Sequence, residues 1–202
     1  MAGAASPTRA RAFINTYGKA FGIPDATGTA LQEQTVDELG MVHVRFQQTL
    51  QGLPITGGEI TVHLRGATVA AVNARTRPRI GLVPAGSVTA EKAAKVANRL
   101  VAKLYGTEEL TTTVPRREIY VPALMGRDGV RGRQVWFVEV YGPAVREFVW
   151  VDARLAAIVL HFSQRAGALD RRVYDGEAGS TVPRCEGVAA TGVADVGAGY
   201  DT

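Results

Sequence analysis

Histidine and carboxylate side chains offer the first chemistry to consider, because together they can bind a transition metal. His43 and His63 occupy polar positions in two segments whose apolar residues alternate, so the two imidazoles could face each other across neighbouring strands. Adding Glu59 would give two imidazoles and a carboxylate, a set that suits zinc. However, a zinc site needs rigidly held ligands with outer hydrogen-bond partners, and the sequence has no H-E-x-x-H helix. We therefore interpret both histidines as polar residues of a strand face and expect no cofactor in this chain.

The sequence also offers no well-supported catalytic nucleophile. Cys185 is the single cysteine, so an intrachain disulfide and a multi-cysteine zinc site are excluded, and no histidine lies near it in sequence to activate the thiol. No G-x-S-x-G serine motif occurs. Gly57 and Gly58 do not open a helix, so a phosphate-binding loop is not supported. These observations give no support to a nucleophilic or phosphate-binding site.

Net charge and hydropathy narrow the classes of partner. The 202 residues carry 23 Lys and Arg against 19 Asp and Glu, a net charge of +4 that is too small to indicate nucleic-acid binding. Arginine clusters occur, but no nucleic-acid motif accompanies them. No run of 18 apolar residues is present, and the chain begins without the apolar core of a secretory signal. We therefore expect no nucleic-acid partner, no membrane partner and no signal peptide in this chain.

The elements that would position these residues follow from periodicity. Residues 8–21 repeat apolar side chains at helical spacing, which predicts an amphipathic helix. Residues 42–46 and 60–64 alternate apolar and polar side chains, and a third strand runs through Val69 and Val72. These patterns predict a helix followed by an antiparallel meander with one solvated face.

The second half of the chain repeats this plan after a linker at 74–87 that is rich in proline and glycine. A helix is predicted over 90–105, with Ser87 or Thr89 as a possible N-cap and Gly106 at its end. Four strand-like segments then follow, at 118–121, 134–141, 147–151 and 157–162.

The order of elements predicts an α+β fold. We expect two small domains, at 1–80 and 87–163, each formed by a helix packed on an antiparallel sheet. Residues 164–202 contain few large apolar side chains and no apolar period. Such a segment cannot bury enough surface to offset its ordering entropy, so we predict an irregular C-terminal tail.

A more specific signal is the string HVRFQQTLQGLPITGGEITVHLRG at 43–66, which resembles the fungalysin/thermolysin propeptide domain. Members of that family combine an H-V-R-x-Q-Q segment, a G-(L/V)-P-(I/V) turn and a G-G-E-(I/L)-x-V-H segment. The matching residues include His43, Arg45, Gln47, Gln48, Gly52, Pro54, Gly57, Gly58, Glu59 and His63. Residues 89–162 resemble the PepSY-type domain that follows it in neutral metalloprotease precursors.

The tail resembles the opening stretch of the mature catalytic domain in the same precursors. The matching residues are Tyr174, Asp175, Pro183, Arg184, Glu186, Gly187, Tyr200 and Asp201. We expect three departures from the family pattern: no signal peptide, no zinc-binding helix, and a chain that ends where the protease should begin. The segment 164–202 is therefore interpreted as a junction and a stub of the catalytic domain.

The resemblance implies a cystatin-like fold in each domain. It also implies a non-catalytic propeptide of a secreted thermolysin-like metalloendopeptidase, acting as intramolecular chaperone and inhibitor. The partner would be a thermolysin-like catalytic domain, in cis or in trans, and zinc and calcium would belong to that domain. The residues leave one alternative open, a free-standing binding or inhibitor module with a different protein partner.

Overall fold

The computed structural model describes residues 5–23, 28–129, 131–165, 171–174 and 183–186. They divide into a compact unit that ends at Phe162 and a second unit that begins at Ser163. The described residues of the first unit form an α+β structure, with a mixed nine-stranded sheet and two α-helices, which confirms the predicted class. Neither of these helices has the length and apolar composition needed to cross a bilayer.

The N-terminal layer consists of α1 (Ala5–Tyr17), a 3-10 turn (Gly18–Phe21) and strands β1 (Thr29–Val36), β2 (Val42–Leu50), β3 (Leu53–Arg65) and β4 (Thr68–Arg75). Strands β2, β3 and β4 form the predicted meander. Alternate residues of β2 and β3 point at α1 and share one core with it, because period-two alternation places them on one face. That core contains Ala10, Ile14, Val44, Phe46, Ile60, Val62 and Leu64.

Strand β1 was missed by the sequence analysis. It pairs antiparallel with β2, and Thr29 is its one buried residue. Its sequence, TALQEQTV, shows no alternation of apolar and polar residues, because an edge strand exposed on both faces has no buried side to encode. The backbone ladder offered by β2 positions this strand.

The C-terminal layer consists of α2 (Ala90–Tyr105) and strands β5 (Thr111–Thr112), β6 (Arg116–Tyr120), β7 (Arg133–Gly142), β8 (Val145–Asp152) and β9 (Ile158–Ser163), with a 3-10 turn at Pro122–Met125. Helix α2 matches its predicted bounds, the Thr89 hydroxyl accepts from the Lys92 amide, and Gly106 ends the helix in the left-handed conformation. Its small apolar residues Ala93, Ala97 and Val101 pack on one face of β7 and β8.

The two layers share backbone pairing. Ile55 of β3 pairs with Ile119 of β6 in parallel, so the sheet runs β1-β2-β3-β6-β7-β8-β9. The expectation of purely antiparallel sheets is therefore wrong at this joint. The reason is that β3 is 13 residues long and pairs with β4 through one part and with β6 through another. The predicted domain bounds, 1–80 and 87–163, stay predictions.

The second unit contains β10 (Arg171–Tyr174) and β11 (Pro183–Glu186), which pair antiparallel. This ladder differs from the irregular tail that was predicted for the whole of 164–202. Segments of four residues are too short for a period of two to stand out in the sequence.

Candidate partner-binding site

The residues of the propeptide-like string first build a large bulge in the β2–β3 hairpin. Gln47 pairs with Glu59 and Thr49 pairs with Pro54, so residues 55–58 of β3 lie opposite the single residue Gln48. The side-chain amide Nε2 of Gln47 donates to the carbonyl oxygens of Ile55 and Gly58, each at 2.6 Å. These carbonyls, which the bulge removes from the regular ladder, thereby gain partners.

Glycines make the bulge possible. Gly57 has φ +69°, a conformation that a side chain disfavours, and a Cβ there would also meet the Met125 side chain. Gly58 is buried, and a Cβ on it would lie 3.2 Å from atoms of Gln48 and Ile55. The Gly-Gly pair is thus required by backbone conformation at the first position and by close packing at the second.

Gln48 anchors the segment that leaves β4. Its side-chain Nε2 donates to the Arg77 carbonyl at 2.8 Å, and its Oε1 accepts from the Arg77 amide at 3.0 Å. The side chain therefore supplies both partners that a neighbouring strand would supply. At the tip of the hairpin, Gln51 and Gly52 both have positive φ, as a two-residue turn of type I′ requires. Pro54 follows within β3, opposite Thr49.

The bulge leads directly to the second layer. Ile55 carries the backbone pairing to β6, and the Thr56 hydroxyl donates to Glu118 Oε2 at 2.8 Å. Trp150 Nε1 donates to the same oxygen at 2.8 Å, and Arg116 Nε donates to Glu118 Oε1 at 2.8 Å. The buried Glu118 carboxylate thereby links the two layers. The sequence did not predict this link, because the donors lie on three separate strands.

The remaining residues of the string lie on the sheet face opposite α1. Arg45 is exposed, with its guanidinium 3.8 Å from the Glu33 carboxylate, and Glu59 is half-buried in register with Gln47 and Arg75. His43 and His63 are half-buried register partners, as the sequence predicted. We call this surface, formed by polar residues of β1–β4, the polar face.

A hydrogen-bonded chain crosses the polar face. Asp37 Oδ2 lies 3.2 Å from His43 Nε2, the Nδ1 atoms of His43 and His63 are 2.6 Å apart, and His63 Nε2 lies 3.2 Å from Asn73 Nδ2. The amide of Met41 lowers the pKa of Asp37, with smaller contributions from the Leu39 amide and His43. Burial lowers the pKa of His63, and the charge of His43 lowers it further.

The zinc set considered from the sequence does not assemble. Glu59 is four residues from His63 along β3, roughly 13 Å in an extended strand. Within the described ranges, no three His, Cys, Asp or Glu side chains are placed to hold a metal ion. The two histidines and Asp37 form a hydrogen-bonded chain and not a metal-binding set.

The residues that resemble the start of a catalytic domain are only partly described. Tyr174 of β10 is the register partner of Pro183 in β11, and Arg184 and Glu186 also lie in β11. Four further residues of that set fall outside the described residues: Asp175, Gly187, Tyr200 and Asp201. The role assigned to this set stays a prediction.

Comparison with known families identifies a motif in the N-terminal layer. Residues 28–75 match the model of the Fungalysin/Thermolysin Propeptide Motif, which confirms the resemblance for this stretch. The match covers β1–β4 and therefore the hairpin, the bulge and the polar face. Among solved structures, the C-terminal domain of YpeB from Bacillus megaterium is similar with a TM-score of 0.45 and 11% identity. The alignment covers 78% of this chain and 63% of that chain.

Proposed function

We propose that this chain is the non-catalytic propeptide region of a secreted thermolysin-like metalloendopeptidase, and that it acts as intramolecular chaperone and inhibitor of the protease. The observation that carries the proposal is the propeptide motif at 28–75, whose glycines and glutamines build the hairpin that joins the two layers. The alternative of a module for an unrelated partner has no comparable support.

The geometry offers two surfaces for such a partner. Strand β1 lies at one end of the sheet, and seven of its eight residues are exposed. A sheet edge can pair with an extended segment of another protein through backbone hydrogen bonds. The polar face beside it presents both charges, including Arg45 and Glu59. We propose that β1 and the polar face together contact the catalytic domain.

Both proposed activities follow from one binding equilibrium. A region that binds the folded protease and not the unfolded protease stabilises the folded state by mass action. If the same contact covers the substrate cleft, it also inhibits. Within one precursor chain a short linker gives an effective concentration in the millimolar range, so moderate contacts suffice. Binding in trans should therefore be weaker than binding in cis.

The proposal is tested by titrating a purified thermolysin-like catalytic domain with this chain, up to about 50 μM, well below that effective concentration. We expect dose-dependent inhibition of peptide hydrolysis, and we expect the chain alone to leave casein intact. Arg45→Ala and Glu59→Ala should weaken inhibition with an unchanged circular dichroism spectrum. Arg146→Ala, an exposed change in β8, is the matched control and should inhibit as the unmodified chain does. A folded chain without any inhibitory effect would contradict the proposal.

A further inference from the structure

The contact between His43 and His63 constrains where protons can reside. The Asp37 carboxylate can only accept, so the neighbouring His43 Nε2 carries a hydrogen. In neutral His43 the Nδ1 atom is then an acceptor, and the hydrogen in the 2.6 Å contact belongs to His63 Nδ1. The remaining His63 Nε2 is an acceptor for the Asn73 amide. All three contacts are satisfied when both imidazoles are neutral.

One added proton can also be accommodated. A protonated His43 donates from Nε2 to Asp37 and from Nδ1 to His63, which keeps the short contact intact. His63 then carries its hydrogen on Nε2, and a rotated Asn73 amide can present its oxygen to it. The Asp37 carboxylate beside His43 compensates the new charge.

A second proton cannot be accommodated. Both Nδ1 atoms would then carry hydrogens that point at each other across 2.6 Å, and two positive rings would have centroids 4.8 Å apart. One imidazole must therefore rotate away, which breaks its contact with Asp37 or Asn73. We propose that His43 and His63 form an acid-sensitive latch across β2 and β3, closed with zero or one proton and opened by the second.

The surroundings of the pair do not offset this repulsion. Asp37 is the carboxylate in contact with it, and α1 packs on the opposite face of the sheet. On β4, His63 has the uncharged partners Ala71 in register and Asn73 by hydrogen bond. The next charged positions along β1–β3 and the loop after β1 have mixed signs: Glu33, Glu38, Arg45 and Arg65. The pKa of His63 lies below its ordinary value, which agrees with repulsion between the two rings.

The latch is tested by NMR titration of the histidine rings in the ¹⁵N-labelled full chain from pH 8 to pH 4. At pH 8 we expect His43 as the Nε2–H tautomer and His63 as the Nδ1–H tautomer. On acidification, the pair should titrate in two steps separated by more than about one pH unit. Coincident midpoints, or a pair of Nε2–H tautomers at pH 8, would overturn the proposal.

Two variants separate coupling from a local effect of burial. His43→Gln removes the second charge, so the His63 midpoint should rise and become a single step. His161→Gln removes a histidine that contacts Glu147 in the C-terminal layer and should leave both midpoints of the pair unchanged. An unchanged His63 midpoint in His43→Gln would contradict the latch. If that variant does not fold, the two-step titration of the unmodified chain still decides the question. The latch is a property of the sheet itself, so its failure would leave the proposed inhibitor function untouched.

Discussion

The two layers are built on the same plan but differ on the sheet face that turns away from the helix. In the N-terminal layer that face is polar, with His43, Arg45 and His63 half-buried or exposed. In the C-terminal layer it is aromatic: Phe137 and Trp150 are buried, and their rings lie 4.9 Å apart. The part of the sheet in the N-terminal layer therefore has one apolar face, whereas the part in the C-terminal layer has two.

This difference indicates that the two layers have different roles. A sheet with a solvated face can present side chains to a partner, and the propeptide motif lies in that layer. A sheet with apolar residues on both faces uses them for its own packing. Arg116 covers the Phe137 ring at 4.1 Å, and Met125 of the 3-10 turn packs on the same cluster. We infer that the C-terminal layer is the scaffold against which the hairpin of the first layer is held.

Among the variants that test this comparison, Glu118→Ala should lower the free energy of unfolding most. The change leaves the buried Trp150 Nε1 and Thr56 hydroxyl without their acceptor, and we expect a loss of about 3 kcal/mol in the free energy of unfolding. Glu118→Gln keeps one acceptor oxygen and should cost less. Urea unfolding by circular dichroism measures both. Equal losses for the two variants would argue against the hydrogen bonds as the cause.

Gly57→Val should lower the free energy of unfolding by a smaller amount. A β-branched residue at φ +69° should cost about 2 kcal/mol, because the left-handed conformation is unfavourable for it. Both tryptophans, Trp136 and Trp150, lie in strands of the C-terminal layer, so their fluorescence follows the unfolding of that layer. If the bulge couples the layers, the fluorescence transition should shift to lower urea together with circular dichroism.

The control for that experiment is Gly81→Ala. Gly81 has open space around the Cβ position and no positive φ, so its substitution should leave the transition in place. A fluorescence transition that Gly57→Val does not move would mean that the layers unfold independently. That outcome would support the domain bounds predicted from the sequence.

The smallest expected effect is on how the free energy of unfolding depends on pH. The pKa of His63 lies below its ordinary value of 6.5 in the folded chain, so above that pH the group is neutral in both states and has no effect. As the pH falls below about 6.5, the unfolded chain binds a proton that the folded chain resists, and stability declines. One proton limits this contribution to about 1.4 kcal/mol per pH unit. His63→Gln should flatten the decline between pH 6.5 and 5, measured by urea unfolding, whereas an unchanged slope would assign it to other groups.

The sequence predicted most of the elements because their patterns are local. Helix α2 has a capping residue, an apolar stripe and a terminal glycine within 18 residues, and the strands of the meander alternate cleanly. The same alternation correctly brought His43 and His63 together. Strand β1 and the parallel pair at Ile55 could not be predicted, since neither carries a local pattern.

The sequence predicted a set of residues for the candidate site but not the contacts that these residues make. The motif identified Gln47, Gln48 and Gly57, whereas their role in shaping the backbone depends on carbonyls that only the folded hairpin exposes. Asp37 and Asn73 were not predicted, because a single polar residue in a loop or an edge strand has no distinctive spacing. Glu118 was missed for the same physical reason: its donors converge only in the fold.

The central claim, that this chain assists and inhibits a thermolysin-like catalytic domain, is tested most directly by refolding. A denatured catalytic domain should be refolded by dilution with and without this chain, and the yield measured after the chain has been removed. The account predicts a higher yield of active protease in its presence, because binding stabilises the folded state. Equal yields with a chain shown to be folded, at concentrations up to about 50 μM, would contradict the claim.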